Sequence, residues 1–384
     1  MLRVLTLSTL YPDEKRPTFG GFVERQAKAL AALGGVEVEV ASGVGLPPWP
    51  LSLHPHYRGR REPASGERNG IMVHRLPFRS LPALPAGTAK ALARAMLPRL
   101  RAIRERFPFD IIDAEFFWPD GVAAMHLAKA LGVPFSVKAR GSDIHHWGCV
   151  PRVREQMLAA AGEAAGLLAV SAALKGSMAE LGMNADNIRV HYTGVDLERF
   201  RPLNRNAAKA AIGVQGPLLV SAGSLIPLKG QALVIEALQA LPDATLILVG
   251  DGPERKRLEA LAAPLGPRVR ILGNRPHGEL PELLAAADVL VLASEREGLA
   301  NVWVEALACG TPVVTTDVGG AREVVDRPEA GRLVARSPAG IAGGVRDILS
   351  APPEQAAVRR AAERVSWARN AAELHAHLTE WSKL

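Results

Sequence analysis

A chain of 384 residues, 48% hydrophobic and 22% charged, has a soluble globular composition and the length for two cores rather than one. Its two cysteines, Cys149 and Cys309, exclude a disulfide framework and argue against a zinc site, which suits a reducing cytoplasm. No apolar run approaches the ~18–20 residues that span a bilayer, and most of the formal charge of +7 falls within residues 1–200.

The opening MLRVLTLSTLYP alternates like a strand and lacks a small-residue cleavage site, so it predicts a strand at 3–9 and no signal peptide. FVERQAKALAAL (22–33) follows with helical spacing, and VEVEVAS (36–42) reads as the second strand. Next comes LPPWPLSLHPHY, with Trp49 and Tyr57, and then a basic segment. Residues 58–106 hold 12 Lys and Arg, among them Arg58, Arg60, Arg61 and Arg68, against Glu62, Glu67 and Glu105. That segment is either a solvated surface or a patch for anionic lipid headgroups or a lipid-diphosphate acceptor. Nucleic acid is disfavoured, because no helix-turn-helix or aromatic-basic module accompanies it.

Further strands are predicted at MVHRL (72–76), DIIDAE (110–115), PFSVKAR (134–140), GLLAVSA (166–172) and IRVHYTG (188–194). Gly194–Asn204 breaks the alternation and reads as a linker. Beyond it lie PLLVSAG (217–223), ATLILVG (244–250), RVRILGN (268–274), DVLVLAS (288–294) and TPVVTTD (311–317). NVWVEALACG (301–310) is a helix with a stop at Gly310-Thr311-Pro312, and VSWARNAAELHAHLTEW (365–381) is the last helix. Strands alternating with helices predict an α/β fold of two Rossmann-like parallel-sheet domains facing across a cleft. The expected division is 1–197 with a returning 366–384, and 198–365.

The stretch EGLANVWVEALACGTPVVTTDVGG (297–320) carries the chemistry. With Asn301 taken as helix N-cap, Glu297-Gly298-Leu299-Ala300 leads from a strand end to a helix start. Ligands of open parallel sheets bind there, and the amide groups and positive end of a helix suit a phosphate. Glu305, about one turn inside an otherwise apolar helix, needs a partner and is placed to accept from a hydroxyl pair. Two carboxylates flanking a phosphate site suggest a ligand that runs sugar, diphosphate, ribose.

This segment resembles the glutamate-x7-glutamate motif of retaining glycosyltransferases of family 4, which have the two-domain GT-B fold. TFGGFVERQAKALA (18–31), TGVDLERFRP (193–202), SAGSLIPLKG (221–230), LVGDGPERKRLEALA (248–262) and ILGNRPHGELPELLAAADVLVLAS (271–294) resemble the family's other motifs in order. The resemblance implies that Glu305 holds the donor ribose and that Glu297 lies at the transferred sugar. It also implies that the amides of Leu299, Ala300 and Asn301 meet the distal phosphate. Lys229 stands at the diphosphate lysine, while Gly273, Asn274 and Arg275 occupy the region that contacts the base. Gly20 and Gly21 would line the diphosphate and acceptor side. The co-substrate would be a UDP or GDP sugar, with no other cofactor. The acceptor would belong to the cell envelope or an exopolysaccharide, and the protein would be cytoplasmic or peripheral on the inner face of the membrane.

The pattern is broken in places. Ser224 stands where an arginine often follows the glycine, so part of the phosphate clamp must come from elsewhere, with Arg275 or Arg140 as candidates. Arg140-Gly141-Ser142-Asp143 replaces His-Gly-x-Asp, and a guanidinium binds anions but is no base at neutral pH. His145 and His146 read as loop residues nearby. No Asp-x-Asp occurs, so metal independence is expected, and no Gly-x-Gly-x-x-Gly follows the first strand, which counts against a dehydrogenase. The alternatives are a non-catalytic sugar-nucleotide-binding partner and an epimerase of the same fold.

Overall fold

The computed structural model describes residues 1–14, 16–50, 64–80 and 85–384. Arg58, Arg60 and Arg61 of the basic segment lie outside the described residues. The chain divides into two compact units, Met1–Tyr192 with Trp367–Leu384, and Thr193–Ser366.

In the first unit, strands mostly rich in Val, Ile and Leu form a sheet whose central strands are buried on both faces. They are β1 (Leu2–Ser8), β2 (Val36–Leu46), β3 (Gly66–Arg68), β4 (Ile71–Arg79), β5 (Ile111–Ala114), β6 (Phe135–Ala139), β7 (Gly166–Ala169) and β8 (Ile188–Val190). Their order is β3-β4-β2-β1-β5-β6-β7-β8, and every pairing is parallel except β3 with β4. At the centre Val4 sits between Val38 and Ile111. The final helix, Trp367–Trp381, buries Ala371, Leu374, Leu378 and Trp381 at helical spacing. A Cβ at Gly166 would collide with the Trp381 ring, so a glycine lets that helix close on β7.

The second unit holds β9 (Leu218–Ala222), β10 (Thr245–Val249), β11 (Val269–Ile271), β12 (Val289–Leu292), β13 (Val313–Thr316) and β14 (Gly331–Val334). All pairings are parallel, in the order β11-β10-β9-β12-β13-β14. The chain winds outward in one direction from β9 and in the other from β12. These neighbours therefore form the topological switch point, where α/β sheets open a crevice at the strands' carboxyl ends. In the first unit β1 and β5 form the equivalent point.

One local expectation, the helix cap, is corrected, and two edge strands lie outside the expected set. Ala300, not Asn301, takes the cap position of the helix Asn301–Ala308, and no side-chain capping bond is made. The strands β3 and β14 carry no alternating apolar signal, and Gly331 opens β14 because a Cβ there would run into the Val313 carbonyl. Residues 193–197 lie with the second unit, where the Val195 N–H donates to the Val365 carbonyl at 2.8 Å.

Candidate active site

The loops after β9 and β12 are drawn together at the second unit's switch point. Gly230 has φ 67°, and a Cβ there would collide with the Ala293 carbonyl, so the two backbones touch only because this residue is glycine. The Glu295 N–H donates to the Leu228 carbonyl at 2.8 Å, a second tie between the same loops. Arg336, beyond β14, adds a third, donating from Nε to the Ala293 carbonyl at 3.0 Å and from Nη2 to that of Pro227 at 3.3 Å. No sequence motif marks Arg336.

These ties deliver Lys229, at the end of the turn Pro227–Lys229, onto the carboxylate of Glu297 in the β12 loop. Ser294 Oγ donates to the same carboxylate oxygen at 2.7 Å. The pair is partly withdrawn from water, with side-chain exposures of 21% for Lys229 and 11% for Glu297. Gly298 accepts at its carbonyl from the Gly320 N–H at 2.8 Å, and Gly319 (φ 51°) leaves no room for a Cβ against the Glu297 carbonyl. The 294–300 loop is thereby pinned from two sides. Leu299 and Ala300 are buried behind it, and the helix begins at Asn301, where the first amides lack intrahelical acceptors.

Glu305 lies one turn further in, 7% exposed, with Oε1 2.8 Å from His277 Nε2. The sequence does not single out His277, because a lone histidine in a polar turn carries no spacing signal. Nearby, burial and the Glu305 charge push the Cys309 thiol up to about 12, so it stays a neutral thiol. Ser224 is exposed in the β9 loop, and its carbonyl accepts from Gln231 Nε2 at 3.0 Å. Gly273 follows β11 with φ 69°, and its carbonyl accepts from the Gly250 N–H at 2.9 Å. Asn274 and Arg275 beside it are exposed, with Arg275 Nη1 3.6 Å from Glu279. Glu297, Lys229 and Gly298 through Asn301 thus gather at the β9/β12 switch point, with Glu305 inside the helix that follows. Ser224, Gly273, Asn274 and Arg275 belong to the carboxyl ends of the neighbouring strands.

In the first unit Gly20 is left-handed (φ 70°), since a Cβ would collide with the Leu10 carbonyl, and Gly21 begins the helix Gly21–Ala31. Arg140 is turned inward. Its guanidinium pairs with Glu115, donates to Gln26 Oε1 at 3.2 Å and stacks 4.7 Å from the Phe22 ring centre, leaving the side chain 6% exposed. Its charge is thereby offset by a buried carboxylate, which it shares with Lys138. Lys138 also bonds Gln26, and its Nζ is 3.8 Å from Glu115. Burial disfavours the Glu115 anion, yet Arg140 and Lys138 outweigh that and hold it below the usual carboxylate range. Asp143 is fully buried and accepts from the backbone N–H groups of Gly141, Phe117 and Arg140 at 2.8, 3.0 and 3.1 Å. It shapes the turn after β6. His146 packs edge-on against Trp147, with ring centres 4.9 Å apart. Among the described residues, no group of His, Cys, Asp and Glu is arranged to hold a metal ion.

Two α/β units on largely parallel sheets, the second with a lysine–glutamate pair at its switch point before a helix start, define a two-domain Rossmann-like architecture. Residues 204–365 match the family model for glycosyl transferases group 1, and residues 20–194 match the glycosyl transferase 4-like domain. The chain is 33% identical to the D-inositol 3-phosphate glycosyltransferase of Frankia alni, over 86% of this chain and 85% of that protein. Its fold is similar to sucrose-phosphate synthase from Thermosynechococcus elongatus, with TM-score 0.80, 20% identity and 98% of each chain covered. It is also similar to HepE of Anabaena in complex with UDP-glucose, with TM-score 0.73, 22% identity, and 99% of this chain and 100% of that one covered. The chain belongs to the glycosyl transferases group 1 family, with the GT-B fold.

Proposed function

We propose that this glycosyltransferase moves a sugar from a nucleoside diphosphate to a cell-envelope, lipid-linked or exopolysaccharide acceptor with retention of anomeric configuration. The observation that carries the reading is the Lys229–Glu297 pair at the β9/β12 switch point, next to the helix starting at Asn301. In a sugar nucleotide the anomeric carbon is bonded to the distal phosphate. A cation for that phosphate and a carboxylate for the sugar hydroxyls must therefore be neighbours, as these two are. The first amides of the helix, from Asn301 onward, suit the distal phosphate, and Glu305 suits the ribose diol. UDP-glucose is the ligand in the HepE complex, which supports this class of donor.

Breaking the glycosidic bond puts negative charge on the departing diphosphate. A fixed lysine there favours the transition state over the bound donor, and the phosphate oxygen can take the acceptor's proton as the hydroxyl attacks on the same face. In the first unit the Gly20–Gly21 turn is assigned to the acceptor, while Arg140 and Asp143 shape the adjoining loop rather than touch substrate. Metal is not required in this scheme.

The test is Lys229→Met. Because Ser224 adds no charge beside it, turnover of a UDP or GDP sugar should fall roughly 10²-fold, with a much smaller change in donor affinity. EDTA should leave wild-type turnover unchanged. A variant that binds donor far more weakly yet turns over normally at saturation would make Lys229 a ground-state anchor. Wild type that binds donor but never transfers or hydrolyses it would favour a non-catalytic binding partner, the reading supported by Ser224 and by the pairing of Arg140 with Glu115.

A further inference from the structure

Glu305 occupies the fifth position of the helix Asn301–Ala308, among Trp303, Val304, Ala306, Leu307 and Ala308, all buried. A carboxylate in such surroundings is costly unless something fixes it. His277 does so, with Nε2 2.8 Å from Oε1. Three features fix His277 in turn. It begins the turn His277–Glu279 directly after Pro276, whose ring restricts the backbone. The turn runs straight into the helix Leu280–Ala286, which buries Pro281, Leu283 and Leu284. Phe200 packs edge-on against the imidazole, with ring centres 5.3 Å apart and planes at 63°. The imidazole is thus held by an aromatic ring on one side and aimed at a carboxylate on the other.

A carboxylate offers about four acceptor positions on two oxygens, and His277 uses one of them, on Oε1. We propose that His277 is a positioning residue for donor recognition, locking the Glu305 carboxylate so that Oε2 faces the vicinal hydroxyls of a nucleoside diphosphate's ribose. The inference rests on the reading of Glu305 as the ribose acceptor. Without the imidazole the carboxylate turns about its last side-chain bond, and the order it needs to receive two hydroxyls must be supplied on binding. His277 is also four residues beyond Gly273, so the segment that shapes the base side of the crevice sets the ribose side as well.

The experiment is calorimetric titration of the full chain with UDP, GDP and their 2′,3′-dideoxy counterparts. Wild type should bind one of the two ribonucleotides and bind its dideoxy form roughly tenfold more weakly or worse. His277→Ala should weaken the ribonucleotide roughly tenfold and the dideoxy form less than about twofold. His277→Phe keeps the packing against Phe200 without the N–H and should behave alike, so it carries the test if the alanine variant loses its fold. His277→Gln places an amide N–H near the position of Nε2 and should recover part of the discrimination. A wild type that discriminates, with His277→Ala and His277→Phe discriminating equally well, overturns the positioning role alone. A wild type that binds both forms equally overturns the ribose assignment of Glu305, and binding of neither UDP nor GDP overturns the donor reading.

Discussion

Single residues in this protein differ most in whether their charge has a partner. Asp120 is fully buried; Oδ2 accepts from the Thr9 N–H at 2.9 Å and from Thr9 Oγ1 at 3.2 Å, while Oδ1 meets no partner among the described residues. Burial pushes its carboxyl up to about 7, against the lowering effect of the Thr9 bonds. Between about pH 4 and about pH 7 the folded chain therefore holds a proton that the unfolded chain has released, so this group's contribution to stability falls as pH rises. Asp120→Asn keeps an acceptor for Thr9 and does not titrate. Its melting temperature relative to wild type should rise steadily between about pH 4.5 and about pH 7.5, and a gap that stays constant with pH would contradict the assignment. The same accounting explains what was legible at this scale. Glu297 and Glu305 stand out in the sequence because two carboxylates around a glycine and an apolar run need a reason, whereas Lys229 is marked only by the resemblance of SAGSLIPLKG to a family motif. Glu115 and His277 do not stand out, because their meaning lies in partners 25 and 28 residues away, Arg140 and Glu305.

Elements position the site through places where only glycine fits. Gly319, after β13, is left-handed and abuts the Glu297 carbonyl, and a Cβ added to it would also stand 2.9 Å from the Gly298 carbonyl oxygen. Gly319→Ala would strain the backbone by roughly 1–3 kcal/mol and push the 294–300 loop away from Lys229. The expected result is a lower melting temperature together with weaker nucleoside diphosphate binding; Gly343→Ala, whose Cβ meets nothing within 4 Å, serves as the control. Equal donor affinity in the two variants would show that the loop tolerates the shift. Most strands were readable from their apolar runs because sheets covered on both faces demand continuous Val, Ile and Leu. β3 and β14 were not, since Gly66-Glu67-Arg68 is exposed or half-buried and Gly331-Arg332 interrupts the apolar pattern at a sheet edge. The helix start is misplaced by one residue because Asn301 suits a cap chemically, while the cap geometry falls on Ala300.

For the whole molecule, the uneven charge bears on where the enzyme works. Trp49 is 79% exposed, and Lys90, Arg94 and Arg101 are exposed on the helix Thr88–Arg106, within about 40° of one another at about 100° per residue. Among the described residues no helix is long and apolar enough to cross a membrane. We propose that the exposed indole and these basic side chains of the same unit serve attachment at an anionic lipid surface. Binding to acidic vesicles should weaken as salt shortens the Debye length from ~30 to ~10 Å, and further when Arg58, Arg60 and Arg61 are changed to Gln; equal binding to neutral vesicles would refute it. The returning helix Trp367–Trp381 has a consequence for the order in which the protein is made. The ribosome completes Thr193–Ser366 before it releases the segment whose Leu374, Leu378 and Trp381 share a core with Val4 and Leu168. The unit translated first is thus the last to be finished, and its sheet carries an apolar groove through the synthesis of the entire second unit. Until Trp381 emerges, the space beside Gly166 that its indole fills stays open to water.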